Sequence, residues 1–460
     1  MIVDQDYHKE TQKTMSYLSE SIFEKEPELQ ERVWKIIDAP SLGLLILAAW
    51  ELGREIAVRI VEETLNERGR APENQSRRCE KCGRALESKG LKRRTMVTLI
   101  GQVKWRRRVR RCPQGCKIGQ VAPSDEALGL GPFQKTSEEV KWLGCALAVF
   151  VPYETSGQLL AMLSGVKVSG KAIWGWVQAS GQRAQAELSA ELANLEVGVL
   201  PELEASDTAS QALKLAIGAD GVMVPFRPEG GQPTGSTRWR EVKVGILARL
   251  GKRSQGTTKL VQRRLVAVLG SVDRFGPLLW LEAQRQGLSQ APAVVWLSDG
   301  GSGFWGLYHT YFAPHAQGIL DFYHAAQNLW LGAKAAFDGR SAKAKLWFAL
   351  NRRRLRQGQS DLVFDDIEAA LALDDLPPAA QQTLTNLFLY LDQHRDHIDY
   401  AHFETLGLPL GSGMVESACK WLIQQRFKGV GMRWSEDGFN HLLFLRLAWV
   451  NGRFEHLFSL

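Results

Sequence analysis

The sequence predicts an α/β protein with one sheet in its second half. Six strand-length apolar runs follow one another from Leu213 onward, and a helical pattern near Phe275–Gln286 separates the fourth run from the fifth. Two runs end in an aspartate beside glycine, Asp220 in LKLAIGADG and Asp299 in AVVWLSDGG. Open α/β sheets build their sites at strand ends, so these aspartates are candidate site residues.

The first 70 residues predict a helical N-terminal region. From Asp6 to about Arg70 apolar residues recur at three-to-four spacing, as in a helical bundle or a dimerisation arm. The apolar run Leu42–Trp50 is about half as long as a bilayer span requires, so we expect a buried helix and no membrane association.

Two cysteine pairs predict a zinc ribbon. Cys79 and Cys82 form the first pair, Cys112 and Cys116 the second, and the alternating segment TMVTLIGQVKWRRRVRR joins them with Gly101 at its turn. Four thiolates on tight turns are the ligands of a structural Zn²⁺ site, and a longer hairpin accommodates the longer second spacing. The alternative is four unrelated free cysteines. With only six cysteines in the chain, a reducing cytoplasm is expected.

Positive charge is concentrated in the same region. Residues 77–111 contain 14 Lys and Arg against 2 Glu, although the whole chain has a formal charge of only +7. Such concentration indicates a polyanion partner, which we expect to be double-stranded DNA held through its phosphates. A solvated face is the alternative. The candidate DNA-binding residues here are Arg93, Arg94, Lys104, Arg106, Arg107 and Arg108.

The next segment predicts a helix-turn-helix. In residues 153–180 one helical pattern leads through a turn with Gly165 to a second helix capped by Ser169. Lys171 and Gln178 then lie on the helix that would enter a major groove. The alternative is an ordinary helical hairpin with its tryptophans in the core.

A third carboxylate completes a candidate metal site. Glu416 lies in GSGMVESACK, where glycines precede residues that start a helix. Carboxylates suit Mg²⁺ or Mn²⁺, and two such ions about 4 Å apart support in-line phosphoryl transfer. In this scheme Asp220 bridges both ions, Asp299 holds one and Glu416 the other. The alternative for each aspartate is a turn or a helix cap.

Three further residues are candidate accessory groups. Asp321 in LDFYH is a candidate fourth ligand or a substitute for Asp299 as ligand. Alternatively, Asp321 and His324 are a structural pair that positions the site. Lys420 lies one turn after Glu416 and either reaches a DNA phosphate or forms an i,i+4 ion pair with that glutamate.

Together these motifs resemble the DDE transposases of bacterial insertion sequences, and most of all the Kra-type group. The resemblance rests on the DG at Asp220, the WLSDG at Asp299, the DFYH element, the GSGMVES around Glu416, and the residues of a PxDExLGL motif: Pro123, Asp125, Glu126, Leu128, Gly129 and Leu130. The Asp-x-x-His element is similar to that of Mutator-like transposases. The resemblance covers most of the chain from about residue 77 to residue 438.

This resemblance implies an α/β RNase H-like catalytic core with a helical insertion, preceded by the helical N-terminal region, zinc ribbon and helix-turn-helix. It also implies metal-dependent strand cleavage and strand transfer at transposon ends, a homo-oligomer on DNA and a bacterial, nucleoid-associated protein. We therefore divide the chain into segments 1–72 (helical), 73–132 (ribbon), 133–210 (helix-turn-helix and linker), 211–330 (core), 331–404 (insertion) and 405–460 (core helices). Alternatives are an RNase H-like nuclease or resolvase without strand transfer, and a non-catalytic, domesticated DNA-binding protein.

Overall fold

The protein is a mixed α/β chain with two sheets. The structure is a computed structural model that describes residues 27–70, 78–116, 121–204, 208–228, 235–252 and 258–458. The predicted helical pattern over residues 6–26 lies outside these residues. The chain forms two compact units: one runs to Leu147 and includes Tyr153–Ile173, and the other comprises Ala148–Pro152 and the residues from Trp174 onward.

The first unit begins with two helices. They are α1 (Pro27–Ile37) and α2 (Leu42–Arg70). The prediction of a helix at Leu42–Trp50 is confirmed, but the prediction that it is buried is wrong, because Leu42, Ile46 and Trp50 are each more than half exposed. Its helical neighbour in the described residues is the short α1, whose own Trp34 is exposed.

A two-stranded antiparallel hairpin follows. Its strands are β1 (Glu87–Thr98) and β2 (Gly101–Arg111), and Gly101, at φ 136°, follows the turn as predicted. Helix α2 protects the open edge of β2, because Glu62 Oε1 accepts the N–H of Lys104 and Asn66 Oδ1 that of Arg106. These bonds satisfy alternate backbone groups that an edge strand otherwise exposes.

The remaining helices of the first part of the chain are α3 (Pro123–Ala127), α4 (Glu138–Phe150), α5 (Tyr153–Ser164) and α6 (Gly170–Glu196). Between α5 and α6 lies the predicted turn, with Gly165 at φ +71°. Ser169 Oγ accepts the N–H of Ala172 at 3.2 Å, so the predicted cap at the start of α6 is confirmed.

The second unit is built on a five-stranded mixed sheet. After the short α7 (Thr208–Gln211) come β3 (Lys214–Phe226), β4 (Arg238–Lys252), β5 (Thr258–Leu269), α8 (Val272–Arg285), β6 (Val294–Ser298), α9 (Ser302–Leu307) and β7 (Gln317–Leu320). The strand order is β5-β4-β3-β6-β7; β3, β4 and β5 are antiparallel neighbours, whereas β6 pairs in parallel with both β3 and β7.

This order matches the predicted series of apolar runs, in which one helix separates the early strands from the later ones. One detail differs from the prediction. The first two runs, which were expected to be separate strands, form the single strand β3. Pairing with β4 continues through Asp220, opposite Val244, and carries the strand past Gly221.

Helices complete the second unit. They are α10 (Phe322–Phe337), α11 (Ala342–Arg356), α12 (Ser360–Leu371), α13 (Pro378–Gln393), α14 (Tyr400–Thr405), α15 (Gly413–Ala418), α16 (Gln425–Phe427) and α17 (Glu436–Val450). A π-helical segment, Cys419–Gln424, joins α15 to α16. The main core lies between the sheet and these helices, with Trp296, Phe275 and Phe312 buried at its centre. In the described residues no helix is long and apolar enough to cross a membrane.

Candidate active site and metal centre

Asp220 and Asp299 lie side by side on the sheet. Ala219 of β3 pairs in parallel with Ser298, the last residue of β6, and the two aspartates follow directly. Whereas β6 ends there, β3 continues, so Asp220 lies within a strand rather than at its end as predicted. The parallel edge opens at this level, which is where α/β sheets form clefts.

The backbone around each aspartate holds its side chain. Asp220 Oδ1 accepts the N–H of Gly221 at 2.6 Å, and Asp299 Oδ1 accepts that of Gly301 at 3.1 Å. Trp305 in α9 donates its indole N–H to the Asp299 carbonyl at 2.7 Å. The Asp299–Gly301 loop therefore has a defined geometry.

Glu416 reaches the same place from α15. This helix approaches β3 closely at Gly218, where a β-carbon would lie 2.9 Å from Met414 Cε and 3.4 Å from Val415. A side chain at position 218 would require at least the Met414 side chain to move, so glycine lets the helix pack closely on the strand. One turn beyond Glu416, the Cys419 Sγ lies 3.9 Å from Asp220 Oδ2, which shows that α15 and the following turn cover the strand at Asp220.

The three carboxylates act on one another electrostatically. Burial raises the pKa of Asp220, and the charges of Asp299 and Glu416 raise it further, whereas the Gly221 N–H and His324 lower it. Like charges close together disfavour ionisation, and a divalent cation relieves that repulsion. Asp220, Asp299 and Glu416 thus form one cluster of hard oxygen donors.

The spacing of this cluster differs from that of a single-ion site. Among the described residues, the four paired cysteines are the one group of three or more potential ligands with all ligand atoms within 4.8 Å of one another. Carboxylates that hold two separate ions are farther apart, since Mg–O bonds of about 2 Å flank ions about 4 Å apart. The ligand atoms of Asp220, Asp299 and Glu416 therefore do not all lie within 4.8 Å of one another.

Asp321 has a different environment. It is 1% exposed and caps α10, accepting the His324 N–H at 2.8 Å through Oδ1, while Oδ2 accepts the N–H and hydroxyl of Ser412. Both carboxylate oxygens are thus engaged within the protein. Of the three roles considered for Asp321, this geometry favours the structural pair.

His324 lies between Asp321 and the carboxylate cluster. Its Nδ1 is 3.3 Å from Asp321 Oδ1. That contact raises the pKa of His324, and the charges of Asp321, Asp299 and Glu416 raise it further, although burial acts in the opposite direction. The imidazole therefore carries positive charge more readily than usual beside the carboxylates.

Lys420 remains compatible with both of its predicted roles. Its Nζ lies 4.0 Å from Glu416 Oε2 and its side chain is 67% exposed. The i,i+4 pair is thus at the limit of an ion pair, and the ammonium group is open to a phosphate.

A groove of about 1180 Å³ opens beside Glu416. Its lining includes the exposed aromatic side chains Tyr323 and Trp421 and the cationic Lys259 and Arg263 from β5. Aromatic faces and cationic side chains are the groups that hold single-stranded nucleic acid. Of the three clustered carboxylates, Glu416 lines this groove.

The four paired cysteines come together as predicted. Cys82 Sγ and Cys112 Sγ are 3.5 Å apart, near the roughly 3.8 Å that four Zn–S bonds of about 2.3 Å impose in a tetrahedron. Each pair lies on a turn with a left-handed glycine, Gly83 or Gly115, both at φ +69°. The second turn accommodates the additional intervening residue, so the donor set fits Zn²⁺.

One thiol of the cluster is biased toward the thiolate. Burial raises the pKa of Cys112, but N–H groups of Cys116 and Gln114 outweigh it and lower the pKa to about 7. Backbone N–H groups directed at sulfur are what a metal-binding thiolate requires, since they stabilise its negative charge.

Strand alternation separates the basic residues of the hairpin into two sets. Lys104, Arg106 and Arg108 alternate on one face of β2, and Arg93 is paired opposite Arg106 on that face. All four side chains are exposed. They form what we call the basic face, whose charge suits a phosphate backbone.

The other face of the hairpin corrects two predictions. Arg94 is 8% exposed and binds Asp125 at 2.6 Å, and Arg107 binds the same carboxylate at 2.9 Å. Arg94 also lies over the Trp105 ring. Because a buried carboxylate requires cationic partners, these two arginines neutralise Asp125 instead of facing DNA.

The helix-turn-helix residues also differ from one another. Lys171 is exposed, as predicted. Gln178 is half-buried and its Oε1 lies 2.8 Å from His441 Nδ1, so part of its hydrogen-bonding capacity is used within the protein.

Sequence reasoning missed three residues that shape the site. Ser412 binds Asp321, Trp305 binds the Asp299 carbonyl, and Tyr390 of α13 packs against Gly300. The glycine after Asp299 was a signal of close approach, but nothing in the sequence identified Tyr390 as the group that approaches.

Comparison with known proteins gives little direct guidance. No protein-family model matches the chain, and no curated protein matches it. Among solved structures the chain is similar to one described as the Drosophila P element transposase strand transfer complex, at 12% identity, covering 72% of this chain and 83% of that chain with a TM-score of 0.23. A TM-score of this size does not establish a shared fold.

Proposed function

We propose that this chain is a DNA transposase of the DDE type. The observation that carries the proposal is the convergence of Asp220, Asp299 and Glu416, which come from two parallel strands and one helix; the charges of Asp299 and Glu416 both raise the pKa of Asp220. The strand order β5-β4-β3-β6-β7, with its first three strands antiparallel, supports an RNase H-like core.

Asp220, Asp299 and Glu416 would hold the Mg²⁺ or Mn²⁺ ions. When bound, such ions activate the attacking oxygen and stabilise the leaving oxygen of a phosphodiester. Asp321 and Ser412 fix the start of α15 and thereby the position of Glu416. His324 and Lys420 supply positive charge beside the cluster, where the scissile phosphate would lie.

DNA binding would use the basic face together with Lys171. The cysteine cluster, loaded with Zn²⁺, would hold the hairpin that carries the basic face. Phosphate contacts of this kind provide affinity but little sequence discrimination, so recognition of particular DNA ends would require base contacts as well.

Cleavage of linear DNA that contains the gene with its flanking sequence tests this function. We expect nicks at defined positions flanking the gene, present with Mg²⁺ and absent with EDTA. Tight binding without cleavage in any divalent metal would contradict a transposase and favour the non-catalytic DNA-binding protein.

A further inference from the structure

Tyr390, near the end of α13, approaches the Asp299 loop from the helical insertion. Its ring lies so close to Gly300 that a β-carbon at that position would overlap the ring atoms. The residue after Asp299 must therefore be glycine for α13 to pack where it does. The insertion thus contacts the backbone next to a proposed ligand.

A second contact holds the same loop. His394, one turn after Tyr390, is 3% exposed, and its ring centroid lies 4.7 Å from that of Trp305. Trp305 itself is bonded to the Asp299 carbonyl. The loop is therefore enclosed by α9 on one side and by the end of α13 on the other.

The Tyr390 hydroxyl has no hydrogen-bond partner among the residues that the structure describes, although it is buried. Asn328 and the Gly300 backbone are near it, and burial together with the charges of Asp299 and Asp321 raises its pKa, so the phenol stays a neutral donor. A buried donor without a well-placed acceptor is unfavourable, and the charged acceptors that act on this hydroxyl are the carboxylates of Asp299 and Asp321.

We propose that Tyr390 is a positioning residue for Asp299, and that its hydroxyl donates a hydrogen bond to the Asp299 carboxylate when that carboxylate binds a divalent cation. The proposal rests on the proposed function. Hydrogen bonds from neighbouring groups orient ligating carboxylates, and their loss typically weakens metal binding 10-fold to 100-fold. The helical insertion then contributes directly to the metal site.

Mn²⁺ binding to the zinc-loaded, full-length protein tests the proposal. We expect Tyr390→Phe to raise the dissociation constant for Mn²⁺ roughly 10-fold while the melting temperature changes little. Asp299→Asn provides the reference for loss of one ligand. The Mg²⁺ concentration that supports half-maximal DNA cleavage should rise by a similar factor in Tyr390→Phe.

Tyr400→Phe is the matched control. Its hydroxyl is also buried without a partner among the described residues, but Asp299 is not among the groups that perturb it. Equal Mn²⁺ affinity in Tyr390→Phe and wild type, or an equal loss in Tyr400→Phe, would overturn the proposal. Absence of Mn²⁺ binding in the wild type would instead contradict the proposed function and remove this inference with it.

Discussion

Asp321 binds Ser412 through both the backbone N–H and the hydroxyl of that serine. Ser412 immediately precedes α15, so this contact joins the end of β7 to the helix that carries Glu416. A residue that sequence patterns place among the candidate ligands therefore connects two parts of the site. Its main effect is on the position of Glu416.

Asp321→Asn should destabilise the protein in a pH-dependent manner. Burial alone would raise the pKa of Asp321, but hydrogen bonds from His324 and Ser412 outweigh it and lower the pKa to about 2. In the unfolded chain the pKa of an aspartate is near 3.9. Because the folded pKa is lower, the ionised carboxylate stabilises the fold above about pH 4, and this stabilisation is lost as the pH falls toward 2. We expect the free energy of unfolding of Asp321→Asn at pH 7 to be about 2 kcal/mol lower than that of the wild type.

Thermal unfolding of wild type and Asp321→Asn across pH 7 to 3 measures this effect. The difference between their melting temperatures should narrow below about pH 4. Asp365→Asn, at an exposed position of α12, is the control and should follow the wild type throughout. A difference independent of pH would show that the charge of Asp321 contributes nothing.

Cys79→Ser and Cys112→Ser should each release zinc. Three remaining thiolates hold Zn²⁺ less tightly than four, and the small core around Cys79, Leu86 and Cys112 would lose its centre. Metal analysis should show less than one zinc per chain, together with weaker DNA binding. Cys145→Ala, at a buried position in α4, should retain zinc; an unchanged metal content in the cluster variants would contradict a zinc site.

Lys104→Ala and Arg106→Ala should weaken DNA binding without affecting the fold. Each removes one exposed charge of the basic face, so the slope of log affinity against log salt should fall by about 0.9 per contact. Fluorescence anisotropy at several salt concentrations measures this slope. If the slope stays at the wild-type value in both variants, the basic face does not contact phosphate.

Arg94→Ala should show the opposite pattern. It removes one partner of the buried Asp125 and should lower the melting temperature. The free energy of unfolding should fall by roughly 3 kcal/mol and not more, because Arg107 still neutralises the carboxylate in part. The salt slope of any folded fraction should match the wild type. If Arg94→Ala is stable and its slope of log affinity against log salt is reduced, Arg94 contacts DNA phosphate.

Gly300→Ala should impair metal-dependent activity by displacing Tyr390 or the Asp299 loop. The added methyl group has no space beside the ring. Gly306→Ala is the matched control, because a β-carbon added to that helical glycine would meet no atom within 4 Å, and alanine favours a helix. DNA cleavage rates at several Mg²⁺ concentrations distinguish the two, and equal rates would contradict a tight contact at Gly300.

Local patterns predicted much of this molecule. Cysteine spacing predicted the thiolate cluster, an alternating pattern predicted the hairpin, and strand-length apolar runs predicted the strands of the second unit. Asp220 and Asp299 were candidates because each follows an apolar run and adjoins glycine. Each of these signals depends on residues that are close in sequence.

Features set by tertiary packing were not predicted. Gly221 looked like a strand end, but pairing with β4 continues the strand through it. Arg94 and Arg93 are adjacent and chemically alike, yet strand alternation places them on opposite faces, and only the position of Asp125 reveals which one is buried. The contact of Tyr390 with Gly300 joins residues 90 positions apart; Gly300 indicated a close approach, but no local signal identified Tyr390 as the approaching group.

An assay with pre-cleaved DNA ends tests whether Asp220, Asp299 and Glu416 catalyse strand transfer. The substrate carries a free 3′ hydroxyl, and joined products are measured with Mg²⁺ for wild type, Asp220→Asn, Asp299→Asn, Glu416→Gln and the control Asp365→Asn. We predict that the wild type and the control join DNA, whereas each site variant binds DNA normally and joins it about 10³-fold more slowly or not at all. Joining at the wild-type rate by any of the three site variants would contradict a catalytic role for the substituted carboxylate.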